Sequence, residues 1–523
     1  SHAEGSGSHA IGIASHSEGL NSIASGDHSH AEGSYNTVDG DSSHAEGSNN
    51  VVGTGFSHAK GRYNLASNGV FYAVVNTNNT AKTINLNNVS NLAIGSKVDI
   101  KRQNLKALTD VEITNITNTT ITVNTSENIS ASKGVILRTN NSANPSPTYA
   151  EGANTVATGM NSHAEGNATI ASGTNSHAEG SITIASGSQS HAEGQNTVAS
   201  GTSSHAEGYV TNATGNYSHA EGRNTTASGT NSHSEGSATT ASGGFSHSEG
   251  QSTVASGSYS HAEGRNTTAS GEASHAGGYY TTASVYTSTA IGRYSKDMIG
   301  SADAIVNTDD AFVIGNGTTS NARSNAFRVT FDGATYGAGA YNSTGADYAE
   351  YFEWLDGNPD NEDRVGYVVT LDGEKIIKAK SSDSYILGVI SSTPSVVGDS
   401  YQDDWNGKYI LDEWGRIVYE EQDIPHLELD EDDNEIIVNK RVLAPVINPR
   451  WSNEEDYIPR EKRKEWSAVG LVGKLLVRDN GTCQVNGFAK IGDVDGELTS
   501  SQEPTSMRVM ERVAPNIVRV FIK

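Results

Sequence analysis

A fixed fourteen-residue period governs most of this chain. Nine histidines, His163, His177, His191, His205, His219, His233, His247, His261 and His275, stand fourteen apart without a break. Each sits in Ser-His-Ala-Glu-Gly or Ser-His-Ser-Glu-Gly, and only the last departs from it, as Ser274-His275-Ala276-Gly277-Gly278. The pentad also opens the chain at Ser1–Gly5, and the period runs on through His16, His30, His44 and His58. A short fixed period specifies stacked structural units, each touching only its neighbours.

Each unit splits into two sevens, one reading Ser-His-Ala-Glu-Gly and the other close to Thr197-Val198-Ala199-Ser200-Gly201. Alternation within each run predicts a short strand. The Gly and the two polar residues after it predict a tight turn. Two strands and two turns make one coil of a parallel β-solenoid. At the usual strand spacing of about 4.8 Å, the ten or so coils after Tyr149 give a rod of roughly 50 Å. Ala faces inward, where space is tightest, and His and Glu share the other face. Buried Ala contributes little at about 25 cal/mol per Å², so added burial through a homo-oligomer is expected. Stacked His and Glu columns read as a hydrogen-bonded ladder, not as metal sites. Metal sites need a few converging ligands, and an open-ended row offers none in particular. No metal and no cofactor is expected.

Composition fits a thin fibre: of 523 residues 34% are hydrophobic, 7% are aromatic and 56 are Gly. The net charge of −26 opposes nucleic-acid binding, because phosphates are repelled. One cysteine, Cys483, excludes an intrachain disulfide but does not fix the compartment. No apolar run is long enough to span a membrane. His2 is in register with His16, so the expectation is that the chain begins inside the rod and that its N-terminal anchor lies before residue 1.

The organisation expected is β-roll over 1–64, an inserted small β-domain over 65–148, β-roll again over 149–292, a β shaft over 293–346 and a globular domain over 347–523. The insert carries alternating runs such as Val70–Val75, Val98-Asp99-Ile100 and Thr120–Val123, which suit a barrel or a compact sandwich. Pro145-Ser146-Pro147 reads as its exit linker. It serves either to bind a target, since function concentrates on displayed elements, or as a spacer. Trp appears only from residue 354 onward, which marks a globular domain of ordinary size. There, Asp372-Gly373 and Asn480-Gly481 read as hairpin turns. Glu454–Trp466 reads as a short helix interrupted by Pro459. The acidic stretch Asp430–Glu435 reads as a solvated hairpin tip, since it lacks the central Gly and spaced Glu of a calcium loop. The fold class is thus all-β and fibrous: a trimeric parallel β-roll (solenoid), an inserted small β-domain, and a mostly-β globular C-terminal domain.

Two carboxylates open that domain in Gly345-Ala346-Asp347-Tyr348-Ala349-Glu350. Asp347 and Glu350 are three apart, and on a helical turn they face the same side. Paired carboxylates can divide acid and base roles when their pKa values are pushed apart. The same spacing also arises from ordinary charges at a helix N-terminus.

Two resemblances add to this reading. Asn21-Ser22-Ile23-Ala24-Ser25-Gly26 and Ser8-His9-Ala10-Ile11-Gly12 resemble the head repeats of trimeric autotransporter adhesins. That likeness implies a left-handed trimeric β-roll over 1–64 and 149–292, although no C-terminal membrane barrel accompanies it. The run Gly345–Trp354 and the later Tyr457–Gly473 resemble the intramolecular-chaperone autoprocessing (peptidase G2-like) domain of phage tail spikes and neck appendages. This second likeness spans about 347–523. It implies a domain that guides trimerisation and then cuts itself off, with Ala346–Asp347 as the scissile bond and Asp347 and Glu350 as the catalytic pair. The family often has Ser at the position of Ala346.

A repeating rod needs such a helper. Identical units allow chains to align one coil out of register, and pairing between separate chains is slow to nucleate. With no Ser, Thr or Cys after the bond, an N-to-O or N-to-S shift is unavailable. Asp347 either attacks the Ala346 carbonyl through a six-membered ring or activates a water for that attack, and Glu350 carries the proton to the leaving nitrogen. The event is a single-turnover self-cleavage without a cofactor. The expected protein is a trimeric phage tail fibre or spike, located in the virion or outside the cell. It would bind a host surface receptor of glycan type and join a tail or baseplate component through its N-terminal side. The alternatives are a bacterial surface adhesin with a non-cleaving trimerisation cap, or an enzyme acting on host glycans.

Overall fold

The computed structural model describes residues 1–66, 83–85, 97–102, 105–116, 120–124, 136–139, 147–400, 407–429, 435–452 and 457–523. Two compact units emerge, Ser1–Ala338 and Gly339–Lys523. Among the described residues there is no α-helix, only a single 3-10 turn at Arg460–Lys462.

The first unit is the β-solenoid that the period predicts. Each coil contributes a strand such as His177–Ser181 and a two-residue strand such as Ile184–Ala185. The two-residue strands stack into a fifteen-stranded sheet. Coils pair in parallel in strict fourteen-residue register: His163 with His177, Ala164 with Ala178, Glu165 with Glu179. The interior is lined by Ala164, Ala171, Ala178 and Ala185, all fully buried. Val38 and Val52 take the same interior column and are also fully buried, so the interior admits small apolar side chains up to valine. Hydroxyl groups fill the remaining interior corners, as where Ser176 Oγ donates to the Gly173 carbonyl at 2.7 Å. The turn requires glycine at Gly166. Its φ is +111°, and a Cβ there would lie 2.1 Å from the Gly180 carbonyl oxygen of the next coil.

The solenoid runs through the insertion without a fault. Tyr149 pairs with His58 on one side and His163 on the other, and Leu65 pairs with both Val51 and Val156. The backbone N–H of Thr148 donates to Ser57 Oγ at 3.0 Å. Leu65, Ala66 and Thr148 therefore belong to the roll, and the chain leaves it at one turn, after Ala66. The insert contributes a five-stranded antiparallel sheet in the order Thr83–Asn85, Thr120–Asn124, Leu105–Ile116, Lys97–Arg102, Ile136–Thr139. The run Val70–Val75 and the linker residues Pro145 and Ser146 lie outside the described residues. Ordinary coils place four residues between Ala157 and Ser162. Replacing 67–147 with Thr-Gly-Met-Asn is therefore expected to leave the roll's thermal unfolding and its protease resistance unchanged. Circular dichroism melts and limited proteolysis check this, and loss of a cooperative transition would make the insert part of the roll's folding unit.

The first unit ends beyond the last histidine coil. Asp310–Asn316 continues the stack in parallel on Thr289–Arg293, and two antiparallel strands, Asn325–Thr330 and Thr335–Gly337, follow. Much of the expected shaft thus adds to the same sheet.

The second unit is a curled, mostly antiparallel sheet built around the long strand Trp466–Arg478, which pairs with Asp347–Glu353, Gly388–Ile390 and Ile517–Ile522. Its core holds Val368, Val389, Leu475, Val477, Met507, Val518 and Val520. A second cluster joins Trp354, Val369, Ile376, Ile390 and Val469. Asp372 and Lys375 pair across a two-residue turn with Gly373 at φ +64°, as the Asp-Gly signal predicts. Asn480-Gly481 turns the chain but does not join adjacent strands, because the following strand Phe488–Ile491 pairs elsewhere. The helix expected over Glu454–Trp466 is replaced by the Arg460–Lys462 turn, and residues 453–456 lie outside the described set. Arg460 stacks on Trp466 at 3.8 Å and donates to the Asp399 carbonyl at 2.7 Å, so tertiary contacts hold this segment rather than helical ones. Residues 430–434 of the acidic stretch also fall outside the described set, between the paired strands Tyr419–Leu429 and Glu435–Pro445.

Candidate functional site

The solenoid columns are continuous ladders. Consecutive imidazoles from His163 to His247 lie 4.7–4.9 Å apart with planes within 6° of parallel. Their Nε2 atoms are buried without a hydrogen bond and sit 3.5–4.0 Å from Glu oxygens in pairs such as His163–Glu165 and His205–Glu207. Burial first, then neighbouring imidazoles, lowers the pKa of His177, His205 and His247. Hydrogen bonds between carboxyl groups push Glu207 and Glu235 up to about 7 and hold Glu193, Glu221 and Glu249 down. Groups such as His163, Glu165 and His177 bring ligand atoms within 4.8 Å of one another. Yet zinc–nitrogen bonds of about 2.0–2.1 Å require two ligating nitrogens to lie within about 4.2 Å. Parallel rings at this pitch do not converge on one ion. The columns form a stacked ladder in which Nε2 approaches Glu oxygens without a hydrogen bond, where the sequence reading expected a hydrogen-bonded one.

The chemistry-bearing segment is the strand Asp347–Glu353. The expected helical turn is corrected here, and the reason is edge pairing. Asp347 lies opposite Gly473 and Glu350 opposite Val469, while Tyr348 to Glu350 also pair in parallel with Val396 to Gly398. On a strand, residues three apart point to opposite faces. Tyr348 shares Glu350's face and donates its hydroxyl to Glu350 Oε1 at 2.5 Å. Asp347 and Ala349 are buried on the other face. Within one chain the two carboxyl groups are not brought together.

Asp347 occupies a cradle made by glycines. Only 4% of it is exposed. A Cβ on Gly470 would lie 2.7 Å from Asp347 Oδ2, and one on Gly473 would lie 2.4 Å from the Ala346 carbonyl oxygen. Gly473 has φ +125°, which L side chains rarely adopt. Both glycines are needed for the Ala346–Asp347 peptide to approach the central strand. Oδ2 is buried with no hydrogen-bond partner. Burial raises the Asp347 pKa, and a hydrogen bond from the Ser391 side chain partly offsets this. A buried carboxyl lacking full compensation is costly to ionise.

The peptide groups on either side of Asp347 are also held. The Lys474 N–H donates to the Ala346 carbonyl at 3.2 Å, which polarises it as an oxyanion donor would. Ser395 donates its N–H at 2.8 Å and its hydroxyl at 2.7 Å to the Asp347 carbonyl. Ala346 itself is exposed. Sequence reasoning singled out Ala346, Asp347 and Glu350 and did not find Ser391, Ser395 and Lys474, which lie tens of residues away and carry no local signature. The one available signal was the pair of glycines in the apolar run Val469-Gly470-Leu471-Val472-Gly473, since glycine inside a strand marks close backbone approach.

Comparisons with known proteins find one family model that takes in this region. Residues 296–516 match the family described as Peptidase_G2, IMC autoproteolytic cleavage domain. The chain is 33% identical over 167 residues to the pre-neck appendage protein of Bacillus phage B103, covering 32% of this chain and 17% of that one. It is 39% identical over 153 residues to the preneck appendage protein of Bacillus phage PZA, covering 29% and 16%. It is also 36% identical over 173 residues to the pre-neck appendage protein of Bacillus phage phi29, covering 32% and 18%. The matches therefore take in less than a fifth of each relative's length. Among solved structures, a C-terminal fragment of bacteriophage phi29 gene product 12 aligns at 32% identity and TM-score 0.26, over 34% of this chain and all of that one. The pre-mature form of the same gene product aligns at 16% identity and TM-score 0.38, over 97% and 50%. The family model thus matches the stretch of this chain that contains Asp347, over residues 296–516.

Proposed function

We propose that this chain is part of a trimeric appendage of a phage particle whose C-terminal domain directs assembly and then cuts the Ala346–Asp347 bond. The appendage would serve host attachment through a glycan receptor and join the particle on its N-terminal side. The similarity to phage neck appendage proteins supports the virion setting, and the repeating roll supports the need for an assembly guide. Among the described residues no helix is long and apolar enough to cross a membrane.

One observation carries the chemical part: the Asp347 carboxyl is buried, with an unpartnered oxygen, beside a peptide whose carbonyl is already held by the Lys474 N–H. In the proposed step an Asp347 carboxylate oxygen bonds to the Ala346 carbonyl carbon, closing a six-membered ring. The C–N bond breaks and the Asp347 nitrogen leaves with a proton. Water then opens the mixed anhydride, giving an Ala346 carboxyl end and restoring the Asp347 side chain. The reaction is a hydrolysis, needs no cofactor and happens once per chain.

Glu350, which faces away from Asp347 in its own chain, can carry the proton only across a chain boundary or after rearrangement. We assign it the first of these, with a neighbouring copy supplying it. Co-assembly of Asp347→Ala chains with Glu350→Gln chains tests this. Cleavage of the Glu350→Gln chain in the mixture, and not alone, is the expected result. Normal cleavage of Glu350→Gln alone would remove Glu350 from the mechanism, and loss in both settings would place its role within one chain.

A further inference from the structure

Backbone from a distant loop crowds the chain two residues before the proposed cut. A Cβ on Gly345 would fall 2.5 Å from the Ser395 nitrogen, 2.6 Å from the Pro394 carbonyl carbon and 2.7 Å from its oxygen. Real Cβ atoms do not come this close, and backbone cannot swing aside as the end of a long side chain can. Gly345 is not among the glycines with positive φ, so the requirement is one of space and not of conformation. The same Ser395 nitrogen donates its N–H to the Asp347 carbonyl at 2.8 Å, and the Ser395 hydroxyl adds a second bond at 2.7 Å. One loop residue therefore meets the chain both before and after the Ala346–Asp347 bond. Between these two points Ala346 is exposed, and its carbonyl accepts the Lys474 N–H from the central strand.

We propose that the backbone of Pro394 and Ser395 forms a closed subsite that admits only glycine two residues before the cut, while the position of Ala346 is an open one. This deepens the autocleavage reading and rests on it. The domain then selects its own cleavage sequence as Gly-x-Asp. Glycine is read by space, the next residue is not read at all, and aspartate is read by its chemistry. Any side chain at 345 must lift the chain off the Pro394–Ser395 backbone. That moves the Ala346 carbonyl away from the Lys474 N–H and from the Asp347 side chain. A displacement of about 1 Å at a reacting group costs on the order of a hundredfold in rate. A side chain at 346 meets solvent and displaces nothing.

Full-length chain is made by cell-free synthesis, and cleavage is followed in time by intact mass. Gly345→Ala is expected to slow cleavage roughly a hundredfold. Ala346→Gln, the larger change at the next residue, is expected to stay within about threefold of the wild type, as changes on open surface are felt little. Pro394→Gly gives the loop backbone freedom to move. Added to Gly345→Ala, it is expected to recover roughly tenfold of the lost rate, as the chain settles back toward its place. A glycine needed only for folding would show no such rescue. Thermal unfolding of Asp347→Ala/Gly345→Ala is expected to match that of Asp347→Ala, since residue 345 precedes the strand that starts at Asp347. An Asp347-dependent wild type with Gly345→Ala cleaving at the wild-type rate would overturn the subsite alone. Early unfolding of the doubly changed chain would also overturn it, by making Gly345 a folding residue. Ala346→Gln slowed as much as Gly345→Ala would do the same, and so would absence of rescue by Pro394→Gly. Failure of the wild type to cleave, or cleavage by Asp347→Ala, would instead sink the autocleavage reading beneath it.

Discussion

Asp347→Ala is expected to leave the chain at full length under conditions where the wild type separates into residues 1–346 and 347–523. The loss should be at least about a thousandfold in rate, the scale on which removal of a nucleophile is felt. The expectation rests on position. Asp347 is the residue whose own side chain can reach the preceding carbonyl by a six-membered ring, and it is held there on strand pairing with Gly473. The same variant is expected to fold at least as well as the wild type, because Ala removes a buried carboxyl with an oxygen that has no partner. Intact mass gives the first result and thermal unfolding of the trapped full-length chain the second. A variant that fails to cleave but also unfolds tens of degrees early would attribute the loss to folding and remove this support for Asp347 as the nucleophile. Loss of cleavage with raised or unchanged stability is the signature of a site strained for function. Normal cleavage in the variant would end the autocleavage reading at this bond.

The largest stability effect is expected at the other end of the central strand. Asp479 is fully buried, and Arg512 grips it with both arms, Nη1 to Oδ1 at 3.0 Å and Nη2 to Oδ2 at 2.7 Å. Arg512 also donates to the carbonyls of Cys483 and Pro515, each at 2.7 Å, and the Cys483 N–H donates back to Asp479. One ion pair thus ties the strand end, the following turn and the hairpin of Met507–Ala514 with Ile517–Ile522. Asp479→Ala leaves the part-exposed Arg512 guanidinium without its carboxylate and the Cys483 N–H without its acceptor. Breaking one side of a fully buried pair costs about 3–5 kcal/mol, and with Arg512 28% exposed the low end of that range is expected, still a large part of a domain's stability. Arg512→Lys should recover little, since a lysine cannot make the two-pronged bond. The double variant Asp479→Ala/Arg512→Ala should cost less than the sum of the single changes. Denaturant unfolding of the full chain checks this. Cys483 offers a second readout: burial, aided by Asp479, pushes its thiol up to about 12, so the native thiol is neutral and enclosed. Alkylation should be slow in the wild type and fast in Asp479→Ala. Equal labelling rates would mean that this corner does not open when the pair is broken.

The solenoid was legible because its information is local and repeated. Every coil states the same alternation, turn and small interior residue, and stacking has only one register that keeps His163 over His177 and Ala164 over Ala178. Even the replacement of His by Tyr149 could be placed, and its ring stands edge-on between His58 and His163 at 4.9 Å. The insertion was visible as a break in period. That it leaves the roll intact, with Leu65 still paired with Val156, was not visible, because pairing across about ninety residues has no local sequence mark.

The second unit behaves differently for the same physical reason. The segment at Asp347 carries residues that suit a helix or a strand, and local propensity does not choose between them. Pairing with Gly470 and Gly473, more than a hundred residues later, chooses the strand. That choice turns Glu350 away from Asp347, buries one carboxyl and leaves the other beside Tyr348. By itself, then, the sequence determined the period, the inward Ala and the choice of Asp347 as the residue to watch, while the compact units divide after Ala338 rather than at residue 347. Tertiary structure alone decided which face each carboxyl occupies, which serines and which N–H surround the bond, and where the buried charge of Asp479 finds its partner. Repetition writes a fold into every few residues, whereas a site assembled from distant strands exists only once burial and hydrogen bonding have brought them together.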